Sequence, residues 1–156
     1  MKKLMILLVG LCLSGCSTVF SGPQCTTSQV WRVVNAKQVA VVYFADGKSD
    51  LSKTDLEKIK KVAEQAIAEN AKVVVYGHAS HRTRPADPIQ KMLINIEVSN
   101  DRAINVSKAL VDYGVAAEDI HPAAMFDSRP VRKEVTRADE AANRRAELVL
   151  YWLNNE

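Results

Sequence analysis

The chain has 156 residues, with 21 basic and 18 acidic side chains, three histidines and a formal net charge of +3 at neutral pH. That length supports one domain with a sizeable core and leaves little room for a second. A balance this near neutral excludes binding to nucleic acid or anionic lipid through bulk charge.

Lys2 and Lys3 precede an apolar run from Leu4 to Leu13, and Ser14-Gly15-Cys16 follows. A charged start, a short apolar stretch and small residues at a cut site make a secretory signal, here residues 1–15. A membrane-spanning helix needs roughly 20 apolar residues, and Ser14, Ser17 and Ser21 interrupt the run too early. The cysteine placed directly after the cut resembles the lipobox of bacterial lipoproteins, which implies that Cys16 becomes the acylated first residue of the mature chain. Two or more acyl chains hold a protein stably on a membrane, whereas one binds reversibly. Ser17 in place of Asp implies, by the same resemblance, the inner leaflet of a Gram-negative outer membrane, with the globular part in the periplasm. Cys25 is then an odd thiol in an oxidising compartment, either free on a tether or half of an intermolecular disulfide.

Residues 16–37 read as the lipidated cysteine and a tether rich in Ser, Thr, Gly, Pro and Gln, with an apolar knot from Val30 to Val34 that fits a short strand or a docking segment. The domain is expected over residues 38–156. Val39 to Phe44 is a continuous apolar run of β-type residues, closed by a turn at Asp46-Gly47-Lys48. Ser52 and Asp55 form a capping pair ahead of a helix, in which Leu56, Ile59, Ala63, Ala66 and Ile67 recur at helical spacing to about Asn70. Lys72 to Tyr76 is a second strand ending at Gly77-His78, and a polar loop with Pro85 and Pro88 fills 79–92. A second helix is expected from about Ser99 to Tyr113, with Ala103, Val106, Ala109 and Leu110 on its apolar face and Gly114 suited to a left-handed cap. Ile120 to Phe126 is a weaker strand, 128–143 a charged loop or short helix, and Ala146 to Trp152 a final strand. The order β-α-β-α-β-β predicts a small α/β (α+β) sandwich: one mixed sheet with two helices on one face.

Three local motifs stand on these elements: Gly77-His78-Ala79-Ser80 at the end of the second strand, Val98 to Ala103 opening the second helix, and Asn143-Arg144-Arg145-Ala146-Glu147 leading into the last strand. Together and in this order they resemble the OmpA-like domain, the peptidoglycan-binding module of peptidoglycan-associated lipoprotein, porin tails and flagellar stator proteins. The resemblance implies that the domain grips the diaminopimelate unit of the stem peptide. An arginine opening the second helix would hold the ligand carboxylate, with an asparagine before that helix assisting, and a carboxylate at the strand tip would pair with the ligand ammonium. A zwitterionic ligand wants one cation and one anion at fixed separation, and Arg binds a carboxylate bidentately without losing its charge. Carried onto this chain, the arginine is Arg102, the asparagine Asn95, and Arg144 lies at the outer rim. The carboxylate position is Ser80, which carries no charge. Asp87 in the loop, Asp46 at the first turn, or Glu97 are the candidates to replace it.

The histidines His78, His81 and His121 lack the spacing of a metal site, and no nucleophile elbow accompanies Ser80. The expectation is therefore a binding protein that needs no cofactor, metal or catalytic group: an outer-membrane lipoprotein whose periplasmic domain binds peptidoglycan. The alternative is a scaffold subunit of an envelope-spanning secretion, conjugation or motor complex, with wall binding weakened or lost.

Overall fold

A computed structural model describes residues 31–82 and 87–155. Cys16 and Cys25, with the expected signal and most of the tether, lie outside the described residues. Four strands and three helices follow in the order β1 (Trp31–Tyr43), α1 (Lys53–Ala68), β2 (Lys72–Gly77), α2 (Pro88–Asp112), β3 (Ile120–Ala124), α3 (Arg137–Asn143) and β4 (Arg145–Asn155), with one 3₁₀ turn at Ala117–Asp119. The strands form one mixed sheet in the order β1-β4-β2-β3. β4 runs antiparallel to both β1 and β2, while β2 and β3 are parallel. Parallel neighbours need a long crossover, and α2 supplies it.

Both long helices cover one face of the sheet. Along β2, Val73 and Val75 are fully buried, while Lys72, Val74 and Tyr76 on the other face are only half-buried. Ile59, Val62 and Ala63 of α1 and Ala103, Val106 and Leu110 of α2 join Val42, Leu148 and Leu150 in a single core. The capping pair at the start of α1 forms as expected: the Ser52 hydroxyl accepts from Asp55 N, and the Asp55 carboxylate accepts from Ser52 N. At the other turns, Gly47 (φ +62°) and Gly114 (φ +95°) take the left-handed backbone that glycine adopts without strain.

Two elements differ from the sequence-based expectation. β1 begins at Trp31, not at Val39, because its first half pairs with the long tail of β4, Arg32 opposite Asn154 and Lys37 opposite Leu150. α2 begins at Pro88, eleven residues before Ser99. Asp87 is its N-cap, accepting from Gln90 N at 2.8 Å, and Pro88 occupies the first turn, where a missing N–H costs nothing. The core-facing period starts only near Ser99 because the earlier turns do not pack on the sheet. Ile89, Met92, Leu93 and Ile96 form an exposed apolar stripe there.

Candidate functional site

The end of β2 is held on both sides. His78 N donates to Arg145 O at 2.8 Å, Ala79 N to Phe126 O at 2.6 Å, and Met125 N returns to Gly77 O at 2.8 Å. α2 crosses so close to this tip that a Cβ on Gly77 would lie 2.0 Å from the Ser99 carbonyl oxygen. That approach brings Arg102 of α2 directly over the tip.

Arg102 is 1% exposed. Its guanidinium donates to three main-chain carbonyls: Nε to Lys48 at 3.0 Å, Nη1 to His78 at 2.7 Å and Nη2 to Ala45 at 3.3 Å. It also lies over the Phe44 ring, 5.1 Å from the centroid. A guanidinium has five N–H donors, so three tie the first turn to the β2 tip. The cation is a structural clasp as well as a candidate ligand contact. Burial, and then the nearby charge of Arg144, lower its pKa to about 10, with Asp46 opposing.

Ser80, Asn95, Arg102, Arg144 and Asp46 line one hollow of about 40 Å³, which adjoins a wider groove of about 900 Å³ sharing Asp46 and Arg144 and bordered by Arg82, Arg137 and Glu140. Arg144 lies at the junction. Its side chain is 14% exposed, Nε donates to Phe44 O at 3.3 Å, and Nη1 is 4.0 Å from the 94%-exposed carboxylate of Asp46. That is a loose, solvated pairing.

Among the proposed replacement carboxylates, Asp46 reaches the hollow. Asp87 does not line it: its carboxylate caps α2. Glu97 is exposed and is not among the residues lining the hollow. A different carboxylate meets Ser80. Glu134, in the segment between β3 and α3, accepts from Ser80 Oγ (2.9 Å) and Arg82 N (2.8 Å) on Oε2, and from His81 N (2.9 Å) and Asn143 Nδ2 (2.8 Å) on Oε1. Burial pushes its pKa up, but the donors from Asn143, His81, Arg82 and Ser80 outweigh this and hold it below the usual value. No local pattern around Glu134 signals this role, since its partner Ser80 is 54 residues away.

The Asn143-Arg144-Arg145 motif divides its work. Asn143 is fully buried, and its carboxamide accepts from Val131 N and Arg132 N while donating to Arg132 O and Glu134. Arg145 is tied to Glu147 and to the carbonyl of Arg129. Arg144 alone of the three faces the hollow. His78 is buried, its Nε2 3.8 Å from Glu147. Burial and the charge of Arg145 bring its pKa down to about 4 against the pull of Glu147, so the imidazole is neutral at neutral pH. His121 lies elsewhere, edge-on to Tyr151. Among the described residues no three His, Cys, Asp or Glu side chains gather as a metal site, and no helix is long and apolar enough to cross a membrane.

The model of the OmpA family matches residues 43–155. The chain belongs to the OmpA family. No curated protein sequence matches it. Among solved structures it is similar to the peptidoglycan-associated lipoprotein from Burkholderia pseudomallei, at 21% identity and a TM-score of 0.63 over 74% of this chain and 91% of that one. The C-terminal domain of Helicobacter pylori MotB matches at 16% identity and a TM-score of 0.62, over 76% and 86% of the two chains. The cell wall anchor of the T6SS from Pseudomonas aeruginosa matches at 19% and 0.57, over 71% and 78%. At these identities the likeness is one of fold, and the mixed four-stranded sheet with its helices is the OmpA-like α+β fold.

Proposed function

We propose that this OmpA-family domain binds peptidoglycan non-covalently through the diaminopimelate of the stem peptide, and that acylated Cys16 tethers it to the outer membrane from the periplasmic side. It is a binding module with no catalytic step. The observation that carries the reading is the pair of cations on one hollow. Arg102 and Arg144 both line it, the second lowers the pKa of the first, and among the described residues neither has a carboxylate within hydrogen-bond distance. An anionic group entering the hollow relieves that repulsion and can draw on the donors that Arg102 does not use on carbonyls. Two structures of similar fold, a peptidoglycan-associated lipoprotein and a cell wall anchor, support the cell wall as the partner.

Arg144 is the residue to test, because Arg102 is built into the fold. Co-sedimentation with purified sacculi should be strong for the wild type and lost for Arg144→Ala, whose melting temperature should stay within a few degrees. Equal co-sedimentation of the two proteins refutes this reading. For the anchor, Cys16→Ala should move the full chain from the membrane to the soluble fraction.

A second reading, a scaffold subunit of an envelope-spanning assembly, is favoured by one feature. The stripe Ile89, Met92, Leu93 and Ile96 exposes large apolar side chains at the i, i+3, i+4, i+7 spacing of a helix-packing seam. Absence of sacculus binding, together with crosslinking from position 93 to another envelope protein, would select it.

A further inference from the structure

Resting on the wall-binding reading, we propose that the wide groove beside the hollow is a second anion subsite. There Arg137 and Arg82 hold another carboxylate of the same ligand, the free α-carboxylate of the stem peptide's D-glutamate. The domain then recognises a peptide segment and not diaminopimelate alone.

Size points to the groove first. The hollow measures about 40 Å³. One water takes up about 30 Å³ of liquid, so the hollow admits a single small group such as a carboxylate. The rest of a ligand lies outside it. The groove of about 900 Å³ shares Asp46, Ile94 and Arg144 with the hollow and continues from it, and its volume suits a molecule larger than one amino acid. In the stem peptide, diaminopimelate is amide-linked to the γ-carboxyl of D-glutamate, whose α-carboxylate stays charged. A peptide that places its terminal diaminopimelate carboxylate in the hollow carries this second charge into the groove. Ile94, from the first half of α2, gives the groove an apolar wall for the methylenes between them.

Charge points the same way. Among the described residues the groove presents Arg82, Arg137 and Arg144 against Asp46 and Glu140. Arg137 is exposed and, among the described residues, makes no hydrogen bond or ion pair. The carboxylates beside it in α3 are taken: Asp139 holds the Thr136 cap and faces Arg132, and Glu140 pairs with Arg82 at 3.2 Å. Arg82 is set on the groove by its main-chain N, which donates to Glu134 at 2.8 Å. Its Nη1 reaches Glu140 and the Val135 carbonyl. Its Nε and Nη2 have no acceptor among the described residues, so they are free to donate to an anion. Two such guanidinium groups suit a carboxylate, which accepts paired N–H bonds.

The test titrates the full mature chain, held in detergent, with two tripeptides by calorimetry. One is L-alanyl-γ-D-glutamyl-meso-diaminopimelate, and the other is the same peptide with the D-glutamate α-carboxylate amidated. They differ in one charge. The wild type should bind the unamidated peptide about fivefold more tightly, the contribution of an exposed ion pair. Arg137→Gln should erase that preference with an unchanged melting temperature, whereas Arg144→Ala should weaken both peptides and keep it. Equal binding of the two peptides by the wild type, or an undiminished preference in Arg137→Gln, overturns the second subsite while wall binding stands. If the wild type binds neither peptide, the wall-binding reading fails and takes this inference with it.

Discussion

Gly77→Ala should force α2 away from the tip of β2. The glycine is needed here for space, not for an unusual backbone angle. An added Cβ would meet Ser99 O at 2.0 Å and Ala103 N at 3.0 Å, both main-chain atoms of α2 that cannot rotate away. Ordinary contact is reached only if α2 retreats from β2 by about 1 Å or more, and overpacking of this kind costs about 1–3 kcal/mol. The next residue raises the cost. Arg102 Nη1 reaches the His78 carbonyl at 2.7 Å, and a retreat of about 1 Å carries that pair beyond hydrogen-bond range. Loss of a hydrogen bond to a charged donor adds about 1.5–3 kcal/mol. The expected total, about 3–5 kcal/mol, is a large share of the stability of a small domain. Thermal unfolding followed by circular dichroism should show a fall of about 10–20 °C in Tm, with sacculus binding weakened in parallel. A variant melting within about 3 °C of the wild type would mean that α2 and β2 yield without strain, and that the clasp of Arg102 over the strand tip does not depend on their spacing.

Arg102→Ala leaves the carbonyls of Ala45, Lys48 and His78 without their donor and the Phe44 ring without its cation, so urea unfolding should report a loss of about 3–5 kcal/mol; a loss under about 1 kcal/mol would contradict the structural role. His78 predicts acid lability. Its pKa falls from 6.5 to about 4 in the folded state, so between those values the unfolded chain binds the extra proton. Stability is therefore full above pH 6.5 and declines toward pH 4, by roughly 3 kcal/mol in all from this group. Urea midpoints between pH 7 and 4 should fall less steeply for His78→Gln than for the wild type, and identical slopes would refute the assignment.

Elements whose apolar residues face the core were legible in the sequence. The apolar run from Val73 to Tyr76, the Ser52–Asp55 cap and the spacing of Ala103, Val106 and Leu110 each belong to elements that pack on one common core. The first turns of α2 were not legible, because Ile89, Met92, Leu93 and Ile96 have no core to face and the prolines nearby resemble loop punctuation. Asp87-Pro88 was in fact a helix start. The first half of β1 was hidden for a similar reason: Asn35, Lys37 and Gln38 lie in a ribbon paired only with β4. At the site, motif residues could be placed from sequence because each sits at an element boundary. What they bond to could not, since Glu134 and the carbonyl partners of Arg102 come from distant segments.

β1 also joins two ends of the molecule. Trp31 begins it, and Phe44 and Ala45, just past its last residue, offer their carbonyls to Arg144 and Arg102. Thirteen residues at about 3.3 Å each set those ends roughly 40 Å apart. Tension between a tether at Trp31 and a ligand gripped at the hollow would run lengthwise along the β1–β4 ladder. It would load many main-chain bonds at once in shear, instead of unzipping them singly, a geometry suited to bearing mechanical strain.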